Sequence, residues 1–351
     1  MAQTKRKAGI LLKQLIMRKV ILALLPCVAG SVYFFGWRSL GIVLLSAATG
    51  FAAEYVFARR WKEPVSEAVF VTTTIFALIM PPTVAWHVVI IGVAFAVVFA
   101  KCVFGGFGRN VFNPAMAGRC FVYICFPVAL TAMWAPPAEG PWGAIDRWTT
   151  APTADAITGA TVMAHIKAGK VTLSSEEDAL DEVSLDITED QTAAVKRSVL
   201  FDGLLFGRIG GTMGVTSVLL ILIGGIYVFY AKVASRTIIL SVIITYSALN
   251  AILYWFGVRP VTEAWAAVMG GGFLFGAFFM ATDPVSAPRE ETAKIIFGAI
   301  IGVCTVVIRN FSIFNGGMMF SILIGNMFAP ILDQAVKMYK NRGKLPAEAG
   351  K

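Results

Sequence analysis

The chain has 351 residues, 57% of them hydrophobic and only 15% charged, with a mean hydropathy of +0.74. A soluble domain carries about a quarter of its residues charged, so a protein wholly in water is excluded and lipid must solvate much of this chain. The formal net charge of +9 invites a nucleic-acid partner, but Lys and Arg fall in short clusters between apolar runs. That is the pattern of a membrane surface, and no nucleic acid is expected.

In chain order, the basic stretch from Lys5 to Lys19 leads into the first apolar run without a small-residue cleavage site, so it is no cleavable signal. A spanning helix needs about 17 to 25 mainly apolar residues. Runs of that kind lie near 20–36, 40–57, 66–82, 86–104 and 112–134, and again near 210–230, 237–256, 264–282, 293–308 and 317–334. Between the two sets, 135–209 is rich in Asp, Glu, Ser, Thr, Ala and Pro and cannot lie in lipid. The expected fold class is therefore an all-α polytopic membrane protein of about ten transmembrane helices. Residues 1–134 hold spans 1–5, 135–209 form a loop, 210–334 hold spans 6–10, and 335–351 form a basic tail. With the N-terminus in the cytoplasm, one side receives most of the basic residues, including Arg59, Arg60, Lys101, Arg109, Arg119, Lys232, Arg236, Arg289, Lys337 and Lys340. The short loops of the other side hold only Arg38, Arg259 and Arg309. Both termini are then cytoplasmic and the loop between helices 5 and 6 faces outward.

Two offsets suggest duplicated five-helix halves, a common plan for membrane carriers. Phe35-Gly36-Trp37-Arg38 is echoed by Phe206-Gly207-Arg208, 171 positions on, and Phe112-Asn113-Pro114-Ala115 by Thr282-Asp283-Pro284-Val285, 170 positions on. The five cysteines, Cys27, Cys102, Cys120, Cys125 and Cys304, form no CxxC motif, so buried inert thiols are expected and no metal site. The two histidines, His87 and His165, do not support a bis-His haem.

Four places can carry chemistry. Glu54 is a carboxylate within the second span, where a charge is costly and marks an ion path or a buried pair. Gly105-Gly106-Phe107-Gly108-Arg109-Asn110-Val111-Phe112-Asn113-Pro114-Ala115-Met116-Ala117-Gly118-Arg119 lacks the strand–turn–helix setting of a dinucleotide fingerprint. It reads as a helix break that either packs small residues or brings backbone near a ligand, and Arg119, inside a span, points to function. In the loop, Asp155-Ala156-Ile157-Thr158-Gly159-Ala160-Thr161 is, from spacing alone, a turn in which Thr158 or Thr161 caps a short helix. Asp283, after a Gly-rich and Phe-rich run, either caps the next segment, binds a cation or pairs with an arginine such as Arg119.

Taken with Gly207-Arg208-Ile209-Gly210-Gly211-Thr212-Met213-Gly214-Val215-Thr216-Ser217 and the stretch from Arg309 to Asp333, these motifs resemble the RnfD/NqrB family. That family comprises the membrane flavoprotein subunits of Rnf and sodium-pumping NADH:quinone oxidoreductase complexes. The resemblance runs from about residue 15 to 340. It implies FMN joined through its phosphate to Thr161, with Asp155, Thr158, Gly159 and Ala160 in register, by a flavin transferase working outside the cytoplasmic membrane. Asn113 and Arg119 become cofactor contacts, Glu54 and Asp283 the ion pathway, and a non-covalent riboflavin a second cofactor among the spans. It further implies electron transfer between ferredoxin and NAD coupled to Na⁺ or H⁺ movement in a bacterial or archaeal cytoplasmic membrane. The implied partners are a second covalent-FMN subunit, iron–sulfur subunits and lipid. The quinone-reducing branch has a longer extension before its first span, so a first span near residue 20 favours the RnfD branch. The NqrB branch, in the quinone reductase, is the first alternative, and a cofactor-free channel or transporter is the second. The acidic segment 171–195 reads as a solvated, partner-facing surface.

Overall fold

The computed structural model describes residues 10–131, 134–138, 140–150, 166–168, 171–174, 193–312, 314 and 316–342. In chain order the helices of the first part are α1 (Leu15–Phe35), α2 (Trp37–Trp61), α3 (Ala68–Leu78), α4 (Trp86–Val97), α5 (Pro114–Cys125) and α6 (Pro127–Thr131). After the described pieces of the loop come α7 (Arg197–Phe206), α8 (Val218–Tyr230), α9 (Arg236–Trp255), α10 (Ala264–Met269), α11 (Phe273–Phe275), α12 (Glu291–Phe311) and α13 (Gly317–Arg342). Helix α4 runs on into a π-helical turn, Val98–Cys102, and α11 into a second, Gly276–Met280.

Five helices, α1, α2, α9, α12 and α13, are long and apolar enough to cross a membrane. Only 28–39% of their most apolar stretches is buried inside the protein. Leu22, Leu44, Val56, Ile244, Ile252 and Val307 stand exposed instead. Large apolar side chains on that scale require lipid around them, and the chain is a multi-pass membrane protein.

The other expected spans are shorter or interrupted, and four of them show why. Helix α3 stops before Pro81-Pro82, where the missing N–H groups cannot continue it. The run 112–134 divides at Pro127 into α5 and α6. The run 264–282 is broken by Gly271 and Gly272, both at positive φ (59° and 71°). The run 210–230 becomes helical only at Val218, because Met213 and Gly214 donate backbone hydrogen bonds to Met80 and Leu78 at the end of α3 (3.1 and 2.7 Å). The expectation of an all-α fold is corrected in one respect. Two short parallel strand pairs exist, β1 (Leu11–Leu12) with β2 (Val65–Ser66) and β3 (Val171–Ser174) with β4 (Ala193–Lys196).

Helix α12 packs along both α9 and α13, α1 lies along α8, α2 packs on α3 and α4, and α5 bridges to α13. On the loop side, Ala138 and residues 140–148 strap the α1–α2 hairpin. Ala138 and Ala144 donate to Phe34 and Tyr33 carbonyls, Trp37 and Arg38 donate to those of Arg147 and Trp148, and the Trp37 indole donates to Ile145 (2.7 Å). Gly36 makes this possible: its φ is +88°, and a Cβ there would sit 2.7 Å from the Arg147 and Trp148 carbonyl oxygens. Gly36→Ala is expected to cost about 1–3 kcal/mol from the backbone conformation alone. The strap adds its own displacement, and thermal unfolding in detergent, compared with wild type, measures the sum.

Two of the basic residues that charge placement puts at the membrane surfaces are buried inside the protein instead. Lys101 is in the π-helical turn and only 2% exposed, and Arg309 is in the last turn of α12 and 9% exposed. Both sit at helix ends, where a hydropathy window sees a flank and cannot see an inward turn.

Candidate functional site

The helix break at Gly105–Asn113 is a turn built on backbone: Gly105, Gly106 and Gly108 all have positive φ. Asn113 then starts α5. Its Oδ1 accepts from the Ala115 and Met116 N–H groups (3.0 and 3.3 Å), and Pro114 occupies the first turn, a favoured arrangement for a helix start. Its Nδ2 donates to the Met280 carbonyl (3.0 Å), and its own N–H donates to Asn326 Oδ1 (3.1 Å). Asn326 in turn donates to the Ser286 carbonyl (3.2 Å). Asn113 and Asn326 thus bolt α5, α13 and the break after Met280 together, and the Asn113 amide is fully committed to protein. Asn113→Ala removes a cap and a bolt, with an expected loss of about 1–2 kcal/mol in unfolding experiments.

Asp283 repeats the Asn113 arrangement. Its Oδ1 accepts from Val285 N–H (3.4 Å), as Asn113 accepts from Ala115, and its Oδ2 accepts from Ser286 Oγ (2.8 Å). Both residues line one small cavity of about 60 Å³, together with Thr72 and Thr282. Asp283 makes no ion pair among the described residues and does not meet Arg119. Glu54 does find a cation: Lys101 Nζ lies 2.7 Å from its Oε2, while Ser66 donates to Oε1 from both N–H and Oγ (3.0 and 2.7 Å).

Arg119 faces a second, larger cavity of about 170 Å³. From α5, Met116, Arg119 and Tyr123 reach it at helical spacing, and Trp134 covers it from beyond α6. The opposite walls are the Gly210–Thr212 run, Gly271 and Gly272 at the break before α11, and Gly316 with Met318 at the start of α13. No carboxylate or hydrogen-bond acceptor among the described residues takes the Arg119 guanidinium. The lining is apolar and sulfur-rich, with two aromatic side chains and one free cation. It fits a flat, largely apolar ring system with a polar edge. Gly118, on the far face of α5, is closed against α4: a Cβ there would be 2.7 Å from Ala96 Cβ.

Asp155, Thr158, Gly159, Ala160 and Thr161 lie outside the described residues, as does His165. The chain is described again at Ile166, which packs with Leu200, Leu204 and Ile209, and Leu204 and Ile209 also line the larger cavity. All five cysteines are free. Cys27 and Cys102 are buried as expected, Cys120 and Cys304 partly so, and Cys125 is exposed on the outer face of its helix. Among the described residues no His, Cys, Asp and Glu cluster could hold a metal ion. Tyr123 and Trp134 stand in no sequence motif, and Arg309 reads in the sequence only as a loop charge at the start of a family motif. Tyr123 carried the one available signal, its spacing of four from Arg119.

Among the described residues, the motif stretches around Asn113–Arg119, Gly210–Thr216, Met280–Pro284 and Gly316–Met319 therefore meet around one pair of cavities. The sequence profile of the NQR2, RnfD, RnfE family matches residues 9–341. The chain is 33% identical over 345 residues to the D subunit of an ion-translocating oxidoreductase complex from Shewanella amazonensis, covering 94% of each chain. It is 31% identical over 334 residues to another from Stutzerimonas stutzeri, covering 92% of this chain and 90% of that one. It is 34% identical over 315 residues to the B subunit of a Na⁺-translocating NADH-quinone reductase from Ectopseudomonas mendocina, covering 88% of this chain and 68% of that one.

Proposed function

This chain belongs to the NQR2, RnfD, RnfE family, and from that premise we propose that it is the RnfD-type membrane flavoprotein of an ion-translocating oxidoreductase complex. Thr161 carries FMN through a phosphoester, the loop lies outside the cytoplasmic membrane, and about ten crossings in two related halves place both termini in the cytoplasm. FMN, when bound, supplies one- and two-electron transfer. The chain's own residues position it. In the larger cavity Arg119 would offer it a charge, Tyr123 and Trp134 would hold it through their aromatic rings, and the methionines would keep water out. Asn113 acts one step back, holding the start of α5 and hence Arg119. Thr72, Thr282 and Asp283 make the smaller cavity the ion-path candidate of the chain. Glu54, held by Lys101, is assigned to structure, and the larger cavity is also where a riboflavin among the spans has room to compete.

The observation that carries this reading is the cavity beside the anchor of Ile166, whose Arg119 has no partner among the described residues. Thr161 stands five positions before Ile166, so its hydroxyl is within ~17 Å of that anchor at full extension. Support for two halves comes from Asn113 and Asp283, which make the same hydrogen bond 170 positions apart. The high mutual coverage with the ion-translocating oxidoreductase relatives supports Rnf over the quinone reductase. The test is electron transfer by the purified complex: ferredoxin-dependent NAD reduction with ion uptake into vesicles is expected. Quinone reduction without it would favour the NqrB role in the quinone reductase instead. Redox-silent protein lacking any flavin would leave the channel reading.

A further inference from the structure

We propose that Arg309 and Lys167 form a binding site for a phosphodiester monoanion at the C-terminal end of α12. Arg309 is 9% exposed in a membrane helix. One guanidinium nitrogen, Nη1, donates to Tyr246 Oη (2.9 Å) and to the Ala267 carbonyl (2.7 Å), while Nη2 is buried with no partner. Neutral acceptors leave the charge itself unanswered, and a buried guanidinium in a bilayer requires a counter-charge. No carboxylate among the described residues pairs with it.

The surroundings add positive potential. Lys167 donates to the Ser312 carbonyl, three residues beyond Arg309. Burial, and then the charge of Arg309, push the Lys167 ammonium below its ordinary value. The start of α13 packs on the backbone of Arg309, where a Cβ on Gly317 would lie 3.0 Å from Arg309 N. Gly271, at positive φ, lies against Nη2: a Cβ would be 2.6 Å away, and Gly271 is also a wall of the 170 Å³ cavity. Two cations thus stand at this end of α12, Arg309 against a wall of the cavity, and no acid among the described residues pairs with Arg309. A phosphodiester has one negative charge, several acceptor oxygens and no proton to lose near neutrality. It answers a guanidinium with an ammonium better than a second neutral acceptor does.

The inference rests on the proposed flavin at Thr161, which supplies one such diester; a phospholipid headgroup is the other source of the same chemistry. Thr161 is six positions from Lys167, within ~21 Å along the chain. The experiment uses the purified complex, made with its flavin transferase, in wild-type, Arg309→Met and Arg309→Lys forms. The covalent flavin is scored on a denaturing gel, and quenching of folded-state flavin fluorescence by acrylamide, a neutral quencher, is measured alongside. The expected result is an unchanged gel band in all three, a severalfold higher quenching constant in Arg309→Met, and return toward wild type in Arg309→Lys. Equal quenching in wild type and Arg309→Met, with both folded, overturns the proposal. If Arg309→Met does not assemble, Lys167→Met gives the same comparison with the same two outcomes. If wild type carries no covalent flavin, the flavin reading fails by itself. Organic phosphorus retained after delipidation then decides the site: loss in Arg309→Met supports a lipid diester, and no difference overturns it.

Discussion

Thr161→Ala is expected to abolish the ultraviolet-fluorescent band of the denatured protein completely. A phosphoester needs a hydroxyl oxygen, and alanine has none, so the effect is a loss rather than a weakening. Thr161→Ser keeps the oxygen and is expected to retain a band, reduced by whatever the transferase gains from the methyl group. Thr158→Ala keeps the acceptor and changes only its neighbourhood, so a band is expected there too. A band that survives Thr161→Ala, or that disappears only with Thr158→Ala, would place the attachment elsewhere. The choice of a loop threonine has a physical logic. A modifying enzyme must reach the hydroxyl, which a residue within a span does not allow. The tether then keeps the flavin beside the cavity without dissociation, at a local concentration that no free cofactor reaches.

What the sequence made legible follows the range of the forces involved. Apolar length and the flanking charge of α1, α2, α9, α12 and α13 are local properties, and these helices lie where hydropathy places them. The break at Gly105–Pro114 was legible as a break, because its glycines and Pro114 act on their own backbone; those at Pro127 and at Gly271–Gly272 fell inside runs that hydropathy reads as continuous spans. Their purpose was not legible. That Asn113 meets Met280 and Asn326, across 167 and 213 positions, is a tertiary fact that no window of sequence contains. The same limit explains Lys101 and Arg309. Both stand at the end of an apolar run, and only the π-helical turn in one case and the approach of Gly271 in the other turn them inward. Thr161 is the opposite case. Its tetrapeptide is commonplace by itself, and its chemical meaning came from the distant motifs that resemblance assembled.

The buried pair of Glu54 and Lys101 has the largest expected effect on stability. The side chains are 7% and 2% exposed, 2.7 Å apart, and Ser66 bonds to both. Lys101 Nζ also lies 6.0 Å from the Phe107 ring centroid. Removing one partner leaves the other charged and dry, so Glu54→Gln or Lys101→Met alone is expected to cost about 3–5 kcal/mol in unfolding from detergent. Replacing both, as Glu54→Leu with Lys101→Met, removes the desolvation penalty along with the attraction and is expected to recover most of that loss. The cycle also separates two roles for Glu54. A carboxylate that carries the coupling ion is needed as a carboxylate, so the double variant would fold but fail to transport. A carboxylate that only neutralises Lys101 is dispensable once the lysine is gone. The geometry favours the second outcome, because Glu54 spends Oε1 on Ser66 and Oε2 on Lys101. Ion uptake by the double variant at near wild-type yield per electron is therefore the expected result, leaving Asp283 to carry the ion path.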